Sequence, residues 1–135
     1  MKCLVAVKQV VDPYISIRIN NDNTAIETTN LKMAMNPFDE IAIEEAVRHK
    51  KSGIVSFITA VSIGNNSVQE TLRQALARGA DEAIHIETTQ NLSPLNIAKI
   101  LATIVKQQQP QLVILGKQAI DNDCNQTGQM LAGLL

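Results

Sequence analysis

Aromatic residues are nearly missing from this 135-residue chain. Tyr14, Phe38 and Phe57 make up 2% of it, and there is no Trp. Stacking platforms for single-stranded nucleic acid need several exposed rings, so that function is excluded. Charge of one sign is missing too. Lys and Arg number 12 against 13 Asp and Glu, a net charge of −1, which argues against a nucleic-acid surface or a polybasic membrane patch. Cysteine is confined to Cys3 and Cys124, far apart and in no CxxC pair, so neither a disulfide framework nor a zinc site is indicated. No run approaches the ~18 apolar residues of a membrane span. Lys8 and Gln9 end the first apolar run before a signal-peptide core could form. No direct membrane insertion is expected, and a reducing, soluble compartment is the default. Two phosphate-binding fingerprints, G-x-G-x-x-G and G-x-x-x-x-G-K-S/T, are also absent.

What is present is an aliphatic chain, 45% hydrophobic, long enough for one core and too short for two ordinary domains. Cys3–Val7 is a continuous apolar run that reads as a strand buried on both faces. Ile15–Ile19 alternates, a polar Asn20–Asn23 cluster follows, and Ala25–Thr28 completes what reads as a hairpin-like excursion. Asn36-Pro37 followed by Asp39 and Glu40 starts a helix, with Asn36 as cap, proline at the first position and carboxylates at the positive end of the dipole. Ala42, Ile43, Ala46 and Val47 form its buried stripe. The pairs Asp39–Glu40 and Glu44–Glu45 read as its solvated face.

Ile54–Ser62 is a second central strand, and Gly64–Ser67 turns into a helix carrying Val68, Leu72, Ala75 and Leu76. Glu82–Ile86 is a third, short strand. Ser93-Pro94 caps another helix with a stripe of Ile97, Ile100, Leu101, Ile104 and Val105. Pro110 stops it, and Leu112–Leu115 is a fourth strand ending at Gly116. A polar loop, Lys117–Thr127, precedes a last helix around Met130-Leu131-Ala132. Strands alternating with helices mean an α/β fold, a parallel Rossmann-like sheet with helices on both faces. Ligands bind such sheets beyond the carboxyl ends of the strands, where strand order reverses. The loops after Val7, Ser62 and Leu115 are therefore the expected site walls.

The run Asp121-Asn122-Asp123-Cys124-Asn125-Gln126-Thr127-Gly128-Gln129 is the nearest thing to a phosphate cradle. Small polar side chains and a glycine ahead of a helix leave free backbone N–H groups at a positive helix end. The same run would serve equally as an ordinary capped loop. Other candidates for chemistry are weaker. His49 belongs to a helix C-terminus and His85 to an apolar strand. Cys124 has no obvious base near it in sequence, and Cys3 is most simply a core residue. Asp121 and Asp123 have a spacing that metal ligands use and loops use too.

Four blocks carry a resemblance. They are Leu4–Lys8 with Val10 and Asp12, Met35–Ala42 with Glu44–Ala46, Gln69–Arg73 with Ala75–Asp81, and Leu115–Asp121 with Asp123–Met130. In this order they resemble the β subunit of electron transfer flavoproteins, across essentially the whole chain. The resemblance implies an adenine-nucleotide-hydrolase-like α/β domain and a heterodimeric electron carrier with no acid–base catalysis of its own. The α subunit would hold most of the FAD, which takes electrons from acyl-CoA and related dehydrogenases to a quinone oxidoreductase of the respiratory chain. The β subunit would bury one structural AMP. In a eukaryote the setting would be the mitochondrial matrix, in a bacterium the cytoplasm.

By the same resemblance, Ala6, the segment Asn36, Pro37, Phe38 and Asp39, and Ile63 line the adenosine. Gly116, Lys117, Gln118, Ala119, Ile120, Asp121, Asn122, Asp123 and Cys124 wrap the rest, with Asn125, Gln126 and Thr127 at the phosphate. Position 63 is often Cys in the family and is Ile here. Pro13 follows Asp12 where many members have a flavin-facing Tyr, shifting Tyr14 by one; Phe38 keeps the other aromatic of that surface. The phosphate loop resembles the AMP-binding type rather than the electron-bifurcating type, which puts a second FAD in this pocket. Two other readings share the fold. A universal-stress-type nucleotide-binding module would need a glycine-rich phosphate loop, which the chain lacks. A hydrolase would use Asp121 or Asp123 with a metal. Family β subunits are substantially longer, so 1–135 is expected to be an N-terminal portion of the nucleotide-binding domain, with an exposed sheet edge that could self-associate.

Overall fold

The apolar run that opens the chain becomes β1 (Lys2–Ala6), the strand around which the sheet is built, in a computed structural model that describes residues 1–27 and 30–135. β1 is paired on both sides, to β4 (Phe57–Gly64) and to β6 (Leu112–Leu115), and β4 pairs in turn with β5 (Glu82–Glu87). All three pairings are parallel and the order is β5-β4-β1-β6. The chain therefore builds outward from β1 through β4 to β5, then crosses back to the far side of β1. The order reverses between β1 and β6.

The period-2 alternation of a strand divides the core into two. Cys3, Val5, Val7, Ile58 and Ala60 face α1 (Pro37–Lys51) and α2 (Val68–Arg78), meeting Ile43, Ala46, Leu72 and Ala75. Leu4, Val61, Ile63, Ile84 and Ile86 face α3 (Pro94–Gln108) and α4 (Thr127–Leu134), meeting Ala98, Leu101 and Leu131. Ala42, Ala46, Ala75 and Ala98 let the helices approach closely, which is how a core forms here with so few rings. Cys3 is a buried core residue, as expected, and its thiol is pushed up to about 11 by burial.

Several local signals act as expected. Ser93 caps α3 by accepting the Asn96 amide at 3.3 Å, with Pro94 at the first helical position. Others differ. Asn36 precedes α1 but makes no side-chain cap, because its amide is used elsewhere. Asp39 is a correction: it is buried, not on a solvated face, because the chain after β6 packs over the start of α1. Glu40 and Glu45 do face outward, pairing with Arg78 and Arg48.

The excursion is also different in detail. Its expected strands reduce to one antiparallel bridge, Ile19 to Ile26, and Thr28 lies outside the described residues. The regular pairing lies at its base, where β2 (Gln9–Val11) and β3 (Met33–Met35) form a two-stranded antiparallel ribbon. In α3, Ile97, Ile100, Ile104 and Val105 are only half-buried, and the tightest packing is made by Ala98, Leu101 and Ala102. No helix of the described residues is long and apolar enough to cross a membrane.

Candidate functional site

A cleft of about 320 Å³ opens beyond the carboxyl ends of β1, β4 and β6, within the ~300–1,000 Å³ range of small-molecule sites. Its floor is aliphatic: Ala6, Val61, Ile63, Leu115, Ile97 and Leu101. One wall is the loop 116–126 and the start of α4, with Gln126, Thr127 and Gly128 at its edge. The first-turn amides of α4 have no intrahelical acceptor, as at any helix start, and this end of the dipole is positive. A second wall is Lys8 with Asn36 and Asp39. The third is the segment after β5, with Thr88, Gln90, Asn91 and Leu92 leading to Pro94 of α3.

Two buried side chains hold the first two walls together. Asn36 is 1% exposed. Its Nδ2 donates to the Gln118 carbonyl at 2.8 Å and its Oδ1 accepts from the Ile120 amide at 3.2 Å, while its own amide donates to the Lys8 carbonyl at 2.8 Å. This residue ties the segment that follows β1, the start of α1 and the loop together. Asp39 accepts from the Lys8 amide at 2.8 Å. Burial pushes its carboxyl up to about 6, against hydrogen bonds from Lys8, Asn36 and Gly116 that pull it down. Gly116 is needed here for close approach. A Cβ at this position would fall on the Asp39 carboxylate and within 2.7 Å of the Phe38 backbone carbon.

The loop is folded on itself as well. The Ala119 amide donates to the Cys124 carbonyl at 3.0 Å, Gln118 Nε2 donates to Asp123 Oδ1 at 2.7 Å, and Asp123 takes a positive φ of 56°. Lys8 Nζ meets Asp121 Oδ1 at 2.7 Å. Both loop carboxylates are thus engaged by donors. Among the described residues no group of three His, Cys, Asp or Glu side chains could hold a metal ion.

Of the residues singled out from sequence, Ala6, Asn36, Asp39, Ile63, Gly116, Lys117, Gln118, Ala119, Asp121, Asn122, Cys124, Gln126 and Thr127 line this one cleft. Pro37, Phe38, Ile120, Asp123 and Asn125 do not. Ile120 and Asp123 act inside the loop, Asn125 accepts from Gln129 at 3.3 Å, and Phe38 is half-buried in the first turn of α1. Tyr14 stands 95% exposed on the excursion. His85 does not line the cleft, its Nε2 donating to the carbonyl of the cleft residue Gly64 at 2.9 Å, and His49, in the last turn of α1, lies 3.1 Å from Glu45. The reading from sequence missed Lys8 and the wall Thr88–Leu92. The rule that placed the other walls, loops at the carboxyl ends of parallel strands, applies to β5 as well and would have found the second of these.

Comparison with known proteins gives the family. Residues 23–135 match the Electron transfer flavoprotein domain family. Over its whole length the chain is 56% identical to "Electron transfer flavoprotein subunit beta" of Dictyostelium discoideum, covering 54% of that protein. It is also 56% identical to "Electron transfer flavoprotein subunit beta, mitochondrial" of Arabidopsis thaliana, again covering 54%, and 50% identical over 139 residues to the human subunit beta. The chain spans about half the length of these relatives. With a parallel α/β sheet, a cleft at its order reversal and this similarity to β subunits from end to end, the chain belongs to the electron transfer flavoprotein family.

Proposed function

We propose that this chain forms the nucleotide-binding portion of a β subunit in a heterodimeric electron transfer flavoprotein, that its cleft takes one AMP as a structural ligand, and that the α subunit holds most of the FAD. The observation that carries the reading is the cleft itself, with an aliphatic floor suited to a purine and the open amides at the start of α4 at its edge. Asn36, Asp39 and Lys8 would hold the loop 116–126 in the shape that wraps the ligand. Gln126 and Thr127 would receive the phosphate, and Ile63 and Ala6 would pack on the base. The flavin, when bound, supplies the redox chemistry, so this chain's residues position and shield rather than catalyse. Phe38, in the first turn of α1, is the aromatic offered toward the flavin-bearing subunit. The dehydrogenases and the quinone oxidoreductase belong to the same reading, which rests on the family.

The experiment is to identify the nucleotide released when the purified chain is denatured, and to melt nucleotide-stripped protein with and without AMP. Released AMP and a stabilisation of about 2.7 kcal/mol at a hundredfold excess over Kd are expected. An unchanged melting temperature in excess AMP overturns the AMP site, and tightly bound FAD alone would assign the pocket to the bifurcating type.

A further inference from the structure

The loop beside the cleft is held in two tiers. Its stem, residues 116–120, is fastened by the buried side chain of Asn36 to Gln118 and Ile120, and by the close approach of Gly116 to Phe38 and Asp39. Its tip, residues 121–126, has no such anchor. Among the described residues, the tip's hydrogen bonds close within the loop or onto the start of α4: Cys124 to Asn122 and to Ala119, Asp123 to Gln118, Asn125 to Gln129, and Gln126 to Met130. The polar link from the tip to the other side of the cleft is one ion pair, Lys8 Nζ to Asp121 Oδ1 at 2.7 Å.

Lys8 is built to be the fixed half of that link. Its amide donates to Asp39 and its carbonyl accepts from Asn36, so its backbone is bound to the start of α1 while the ammonium reaches across. Both partners line the cleft, and their side chains are 36% and 31% exposed, open enough to water to separate and re-form. We propose that Lys8 and Asp121 form the latch that keeps the loop tip closed over the nucleotide cleft, so that ligand leaves when this pair opens. Lys8 is thus a positioning residue, acting through the loop and not on the ligand. The inference rests on the cleft being a nucleotide site, as proposed above.

Two measurements on the purified 135-residue chain test it. Hydrogen exchange, in stripped protein, reads the latch without any ligand: Lys8→Met and Asp121→Asn should each raise exchange in 121–126 and leave 116–120 unchanged. Unchanged exchange in the tip overturns the latch. Stopped-flow release of AMP reads the gate. Both variants should release AMP roughly two- to fivefold faster, the range expected for a partly exposed pair, and the charge-swapped double variant Lys8→Asp with Asp121→Lys should recover most of the difference. Release from the unsubstituted chain should quicken with salt and release from Lys8→Met should not. If Lys8 instead binds the phosphate directly, Lys8→Met speeds release but Asp121→Asn slows it by freeing the lysine; that opposite response overturns the proposal. Failure of the unsubstituted chain to bind AMP would overturn the nucleotide reading and the gate with it, while hydrogen exchange still decides whether the latch exists.

Discussion

Two irregular segments leave this sheet, and they differ in what holds them. Among the described residues of 12–27 and 30–32, the following bonds are local. The Asp12 amide donates to the Lys32 carbonyl, the Asp12 carboxylate accepts from the Tyr14 amide and pairs with Lys32, and Asn20 closes a local turn with Thr24 and Ala25. Four of the segment's apolar side chains, Tyr14, Ile17, Ile19 and Ile26, stay exposed. Residues 116–126 are about as polar, yet they are ordered by Asn36, a residue from a distant part of the chain that is itself sealed in the interior. Apolar content does not decide which segment is tied to the body. A buried polar anchor does, because leaving its partners unpaired costs more than any exposed contact returns.

The sharpest way to break the comparison is Asn36→Ala. It strands the Gln118 carbonyl and the Ile120 amide together, and a loss of about 3–4 kcal/mol in urea denaturation is expected, with the cleft lost as well. A loss below 1 kcal/mol would remove the anchor from the argument. Gly116→Ala should follow at about 3 kcal/mol, since the new methyl meets both the buried Asp39 carboxylate and the backbone of Phe38 and Asp39, which cannot swing away.

Asp39 sharpens the contrast through pH. Its carboxyl sits at about 6 in the fold against an ordinary value of 3.8. The folded chain therefore holds this proton between the two values while the unfolded chain releases it. Asp39's contribution to stability is fully present below pH ~4 and is lost as pH rises through ~6, about 2–3 kcal/mol in all. The difference between the chain and its Asp39→Asn variant, measured by denaturation from pH 4 to 7.5, should show that slope; a flat difference contradicts a buried carboxylate here. The smallest effect belongs to the other segment. Ile17→Ser and Ile19→Ser should each change the stability of the chain by less than ~0.5 kcal/mol, because both side chains stay largely in water on folding.

The same contrast explains what could be read from the amino-acid order. β1, β4, β5, β6 and the first three helices follow from local periodicity and from Pro37, Ser93, Pro94 and Pro110, signals contained within a few residues. β2 and β3 escaped notice because three-residue strands carry no alternation to detect. Asp39 was misassigned for a different reason. A helical wheel groups it with Glu40, but its burial comes from Gly116, far away in sequence. Asn36 likewise has the composition of a cap, and only the arrival of Gln118 and Ile120 diverts it. The sheet rule named the strand ends around which the cleft forms, the individual cleft residues came from the family resemblance, and Lys8 was not singled out because its role depends on Asp121.

The position of β1 between β4 and β6 has a further consequence, for the order of assembly. The contacts that shape the cleft join residues 82 apart, Asn36 to Gln118, and 113 apart, Lys8 to Asp121. Such long closures come late, after the entropy of the intervening chain has been surrendered. A nascent chain that ends before Leu112 can pair β1 with β4 and cover them with α1 and α2, but it lacks the wall made by 116–126 and the start of α4, and so has no loop to fold over a ligand. On the function proposed above, capture of a nucleotide would mark a completed sheet, and the ligand would stabilise the finished product without rewarding any of its precursors.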